Sequence, residues 1–118
     1  MKVMMLILET PDDFANRNQQ TPAAQAYWEA WKSYSEAIND KVVGGNVLGP
    51  GTTATTLRVR DGERVVQDGP FADTKESLGG YMILDVASME EALELSAKAP
   101  CAATGAVELR PIVEMDNM

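Results

Sequence analysis

Asp68-Gly69-Pro70-Phe71-Ala72-Asp73-Thr74-Lys75-Glu76-Ser77-Leu78-Gly79-Gly80-Tyr81 gathers turn formers, four charges and two aromatic residues into fourteen positions. Before it lies an alternating run broken by Asp61-Gly62, and after it comes Tyr81-Met82-Ile83-Leu84-Asp85-Val86. A loop held at both ends by strands is where a small domain places a site.

Working outward, Asp61-Gly62 favours a two-residue type I′ turn, which sets a hairpin register. Arg60 then faces Glu63, Arg58 faces Val65, Thr56 faces Gln67 and Thr55 faces Asp68. Strand alternation puts Arg58, Arg60, Thr56, Glu63, Val65 and Gln67 on one side and Leu57, Val59 and Val66 on the other. The open end of the hairpin carries Thr55 and Thr56 toward the Asp68–Tyr81 loop.

Towards the N-terminus, Lys2 to Leu8 reads as a strand, and Glu9 to Gln20, with Pro11, Asp12 and Asp13, as a polar surface loop. Thr21 caps a helix that has Pro22 in its first position and extends to about Lys41. Tyr27, Trp31, Tyr34 and Ile38 share one face of it, and Trp28 falls at the edge of that face. Val42-Val43 starts a short strand that Gly44 and Gly45 interrupt, and the nearby glycines imply changes of direction. Towards the C-terminus, Gly80 to Val86 reads as a central strand. Ser88-Met89-Glu90-Glu91 opens a second helix as a capping box, Pro100 stops that helix, and Ala106 to Ile112 is the last strand.

Without the hairpin the order is βαββαβ. This is an α+β, ferredoxin-like arrangement with two helices on one face of an antiparallel sheet. The other face stays partly apolar, and a second subunit would cover it. The expected organisation is one domain over residues 1–118, with an ordered core at about 2–113.

The chain has 118 residues, 45% of them hydrophobic, a net charge of −8 and no histidine. Ten scattered Lys and Arg residues do not make a nucleic-acid surface. The absence of histidine and the single cysteine, Cys101, remove the common zinc and iron ligand sets, so neither a metal nor another cofactor is expected. Cys101 has no histidine to activate it and reads as a buried thiol. No apolar stretch approaches the ~20 residues of a membrane span, so a cytoplasmic location and no membrane partner are the expectation. The glycines match no nucleotide-binding fingerprint.

The residues able to do chemistry are Arg58, Asp68, Asp73, Lys75, Glu76 and Tyr81, with Thr55 and Thr56 beside them. Asp73 or Glu76 would act as a base only if its surroundings raised its pKa. Arg58 or Lys75 would hold a substrate carboxylate, and each could equally close the loop by ion pairing. Phe71 reads as an apolar plug, Asp68 as a turn former, and Tyr81 as an anchor or an inward donor.

The segments MKVMMLIL, GGNVLGPG, TATTLRVRDG, DGPFADTKESLGGYMILDV, MEEALELSAKAP and GAVELRPI together resemble the YCII-related, or DGPF-domain, family of small bacterial proteins. The resemblance implies a ferredoxin-like fold paired into a dimeric α/β-barrel. Some relatives look like histidine–aspartate enzymes, a mechanism this chain cannot inherit, and others accompany sigma-type transcription factors. Asp73 stands where the family more often has glutamate.

The expected function is therefore that of a homodimeric small-molecule binding or sensor protein. In it, Arg58 and Lys75 orient a small anionic metabolite while Thr55, Thr56 and Tyr81 add polar contacts. One alternative is a cofactor-independent isomerase, lyase or monooxygenase-like enzyme using Asp73 or Glu76 as base, with Arg58 stabilising negative charge. The other is a structural or regulatory interaction protein whose loop charges are all internally paired.

Overall fold

Alternation in the first strand determines the core. In β1 (Lys2–Glu9), Val3, Met5, Ile7 and Glu9 are buried while the residues between them are half-buried or exposed. The computed structural model describes residues 1–115. After β1 come α1 (Pro11–Arg17), α2 (Pro22–Ala37), a 3-10 turn (Asn39–Lys41), β2 (Val42–Val47) and a second 3-10 turn (Gly51–Thr53). The chain continues through β3 (Thr55–Arg60), β4 (Glu63–Asp68), β5 (Ser77–Asp85), α3 (Met89–Ser96), α4 (Pro100–Thr104) and β6 (Ala106–Pro111).

The main sheet is antiparallel with order β2-β5-β1-β6, and β3-β4 forms a separate two-stranded sheet. This is the ferredoxin-like α+β order with an inserted hairpin. In the hairpin the predicted register holds through six pairs, from Thr55–Asp68 to Arg60–Glu63. Both turn residues have positive φ, Asp61 at 52° and Gly62 at 78°, as a type I′ turn requires.

The helix-facing core joins Val3, Met5, Ile7 and Leu84 of the sheet to Trp31, Tyr34 and Ile38 of α2 and Ala92 of α3. Trp31 and Tyr34 meet edge-on at 5.8 Å, and the Tyr34 hydroxyl donates to the Leu95 carbonyl at 2.9 Å, tying α2 to α3. Ladder pairs on the opposite face are Met4–Ile83 and Leu6–Tyr81 on one side of β1 and Leu6–Glu108 on the other. Met4, Leu6, Tyr81 and Ile83 are only half-buried there.

Several local expectations are corrected. The predicted surface loop at Glu9–Gln20 contains α1, because Thr10 Oγ1 accepts from Asp13 N, Asp13 Oδ2 accepts from Thr10 N, and Pro11 sits in the first turn. Gly44 and Gly45 do not break β2; a Cβ on Gly45 would stand 2.6 Å from the Tyr81 carbonyl, so the close approach of β5 is what excludes a side chain. The second predicted helix ends at Ser96, before Pro100, and Pro100 instead opens α4. Phe71 is no plug, being 80% exposed.

The Thr21 cap and Pro22 occur as expected, but the helix ends at Ala37 and a 3-10 turn carries the chain on to Lys41. Ser88 Oγ accepts from Glu91 N, but the Glu91 carboxylate pairs with Lys41 Nζ at 3.5 Å instead of returning to Ser88.

Candidate functional site

A cavity of about 440 Å³ lies between α2 and the β2-β5 half of the sheet, within the usual size range for a small-molecule pocket. Tyr27, Trp28 and Trp31 supply its helical wall, and Gly44, Gly45, Gly79 and Gly80 lie along its floor. Gly45 and Gly80 pair in the ladders with helix-facing residues, so larger residues there would point under the tryptophans, whereas a Cβ on Gly44 would meet Ile83 Cδ1 at 3.7 Å on the opposite face. Lys32 and Ser35 follow along α2, and Asn39 follows in the 3-10 turn after it.

Glu9 and Arg17 also line the cavity. The period of β1 places Glu9 on the core face after Val3, Met5 and Ile7, and it is only 3% exposed. Arg17, the last residue of α1, donates from Nη1 to Glu9 Oε1 at 3.3 Å and from Nη2 to the Leu48 carbonyl at 2.5 Å. The Trp28 indole donates to the Arg17 carbonyl at 3.3 Å, and the guanidinium lies 5.9 Å from the Trp28 ring and 4.9 Å from the Phe14 ring. Arg17 is thus fixed by α1, α2 and the chain after β2.

The pairing of β1 with β5 shifts between Ile7 and Leu8, so Gly79 is the extra residue of a β-bulge. A Cβ at Gly79 would run into the Glu9 carboxylate and stand 3.2 Å from Arg17 Nη1. The bulge and its glycine together make room for the ion pair.

Burial is the larger influence on Glu9 and raises its pKa above the ordinary 4.5, against the opposing charge of Arg17; nearby Asp13 raises it further. Glu9 Oε2 is buried with no hydrogen-bond partner among the described residues, and so is the Tyr27 hydroxyl. Both groups belong to residues that line the cavity. A carboxylate of raised pKa with one free oxygen beside an aromatic pocket can accept and return a proton.

Of the residues expected from sequence, Tyr81 is part of the cavity lining, and Thr55, Thr56, Arg58, Asp73, Lys75 and Glu76 lie outside it. Arg58 donates to Gln67 Oε1 at 3.4 Å, with its guanidinium 5.2 Å from the Phe71 ring. Thr56 Oγ1 donates to the Gly69 carbonyl at 2.8 Å, and Gly69, at φ 104°, makes the turn. Thr55, Asp73 and Lys75 are exposed and Glu76 is half-buried, and among the described residues none of them forms an ion pair with Arg58. Thr74 Oγ1 donates to the Glu76 carbonyl. The Tyr81 hydroxyl accepts from Asn46 Nδ2 at 2.9 Å, and both residues belong to the β2-β5 part of the cavity lining, while Tyr81 pairs with Leu6 in the ladder.

Among the described residues no group of three acidic, histidine or cysteine side chains is placed to hold a metal ion, and no helix is long and apolar enough to cross a membrane.

Glu9 and Arg17 escaped the reading of the sequence, although two signals pointed to them. A carboxylate sits on the buried period of β1, and Thr10-Pro11-Asp12-Asp13 is a helix start that leads seven residues later to Arg17.

The sequence model of the YCII-related domain matches residues 1–116. An uncharacterised protein of Rhizobium meliloti (strain 1021) is 43% identical over 84 residues, which span 64% of this chain and 68% of that protein. Among solved structures, the 5-chloro-2-hydroxyhydroquinone dehydrochlorinase TftG of Burkholderia phenoliruptrix AC1100, in complex with 2,5-dihydroxybenzoquinone, superposes with a TM-score of 0.57. That likeness covers 99% of this chain and 98% of the other at 16% identity, a likeness of fold.

Proposed function

We propose that this chain, which belongs to the YCII-related domain family, is a cofactor-independent acid–base enzyme acting on a small planar ring held beneath α2. The observation that carries the proposal is the buried Glu9, which lines a cavity walled by Tyr27, Trp28 and Trp31 and whose Oε2 has no hydrogen-bond partner among the described residues. Flat aromatic walls and a floor of glycines suit a flat ligand.

In this mechanism Glu9 takes a proton from a ring hydroxyl or an acidic ring carbon. It then returns the proton to another ring position, an isomerisation, or to a departing group that leaves with its bonding electrons, an elimination. Neither route changes the total oxidation level, so no redox partner is needed. Arg17 keeps the carboxylate oriented through Oε1 and lowers the cost of its charged form. TftG, a dehydrochlorinase that holds a dihydroxybenzoquinone, lends support as a protein of this fold working on such a ring.

A second copy of the chain completes the assembly in this proposal. It covers the face carrying Met4, Leu6 and Ile83 and the exposed Leu57, Val59, Val66 and Phe71 of the hairpin and its loop. Arg58 and the Asp73–Glu76 loop then serve the subunit contact.

The test is turnover of hydroxylated and halogenated hydroquinones, followed by absorbance, in wild type and Glu9→Gln. Loss of about a hundredfold or more in kcat, with ring binding kept, is expected of a removed acid–base group. Full activity in Glu9→Gln would overturn the mechanism. Ring binding without any turnover in wild type would favour the sensor protein instead, a reading that the tight Arg17–Glu9 pairing also suits.

A further inference from the structure

We infer that the ring compound carries an ionised oxygen substituent, which Lys32 receives at the opposite side of the cavity from Glu9; this rests on the cavity being the ligand site. The chain carries a net charge of −8, so its general field repels anions. Of the two cationic side chains lining the cavity, Arg17 is occupied by Glu9 and the Leu48 carbonyl. Lys32 has no carboxylate within ion-pair distance among the described residues, although Glu29 and Glu36 stand three positions before and four positions after it on α2.

Spacing along α2 makes the two ends a pair. Trp28 marks the Glu9 end, because its indole holds the Arg17 carbonyl and its ring lies against the guanidinium. Lys32 is one turn further on, about 6 Å along the helix axis, where its exposed side chain stands at the cavity rim within reach of the outer substituent of a para-disubstituted six-membered ring. At the inner end stand Glu9 and Tyr27, two lining residues whose Oε2 and hydroxyl are buried and unpartnered among the described residues, so that a ring hydroxyl arriving there would meet them once their side chains adjust. The outer end offers Lys32 with Ser35 from the next turn. A ring with a protonated hydroxyl inward and a carboxylate, phenolate or enolate outward matches both ends.

Trp28 and Trp31 are the two tryptophans of the chain and both line the cavity, so intrinsic fluorescence reports on its occupancy. The probes are para-hydroxybenzoate and para-hydroxybenzyl alcohol, which share shape and differ in charge, titrated into the full chain at low and high salt. Wild type should prefer the benzoate by about tenfold, the scale of one charge-assisted hydrogen bond, and the preference should shrink with salt. Lys32→Met should abolish the preference and Lys32→Arg should restore it. Binding of the alcohol with no preference for the benzoate, or a preference that survives Lys32→Met, overturns the inference and leaves the cavity as a ligand site. Binding of neither ring overturns both.

Discussion

Arg17 Nη1 lies 3.3 Å from Glu9 Oε1, while Glu9 Oε2 has no partner among the described residues. The pair is nearly dry, with side-chain exposures of 9% and 4%, and a buried ion pair recovers its desolvation cost only when hydrogen bonds satisfy both ions. Arg17 has those bonds and Glu9 has half of them. Burial, which the charge of Arg17 does not fully offset, raises the Glu9 pKa and leaves the carboxylate able to exchange a proton.

Removing Arg17 tests that imbalance. In Arg17→Met the Glu9 charge is buried without a counter-ion, which at neutral pH should cost about 3 kcal/mol of stability. The folded-state pKa of Glu9 is raised, so its favourable contribution is complete below the ordinary value of 4.5 and is lost as pH rises through the folded value. Removing Arg17 raises the folded value further. Urea unfolding should therefore show a small deficit near pH 4 and a larger one near pH 7. Equal deficits at both would show that Glu9 is not the strained charge.

Gly79→Ala attacks the same pair from the sheet. The new methyl would occupy the place of the Glu9 carboxylate, which is fixed on its other side by Arg17. Overpacking of this kind costs about 1–3 kcal/mol, and displacement of the carboxylate should remove ring turnover as thoroughly as Glu9→Gln. Gly62→Ala provides the contrast: its Cβ would meet open space, and only the φ of 78° opposes it. Equal activity in Gly79→Ala and wild type would show that the bulge does not make room for a working group.

The fold was legible because its determinants are local. Asp61-Gly62 defined the hairpin register, and the four-and-three spacing from Tyr27 to Ile38 defined the buried face of α2. The site was less legible because its residues meet across the sheet. Glu9 and Arg17 are eight positions apart and become neighbours only when α1 folds back over the end of β1, and Gly79 reaches them through the β1-β5 ladder. The Asp68–Tyr81 stretch drew attention by composition. Its glycines proved the most telling part, Gly69 through its positive φ and Gly79 through the space it leaves.

Cys101 should behave as a core residue. It is fully buried, and burial first, then the Glu9 charge, pushes its thiol up to about 12. The thiolate that reacts with disulfide reagents is therefore scarce as well as shielded. The native protein should leave an aromatic disulfide reagent unreacted over hours and release one equivalent at once in denaturant. Rapid reaction of the native protein would place Cys101 on a segment that opens readily.

The hairpin carries the prediction about assembly. Leu57 pairs with Val66, their strand face is apolar, and the two are 53% and 57% exposed. Exposed apolar surface continuing onto a half-buried sheet face marks a contact surface. Light scattering after gel filtration should give twice the chain mass of 12.8 kDa. Val66→Lys should shift the population toward the single chain, because a charge buried at a subunit contact without a partner is costly, while the helix signal in circular dichroism stays unchanged. Wild type eluting as a single chain, or a Val66→Lys dimer of wild-type affinity, would remove the hairpin from the subunit contact.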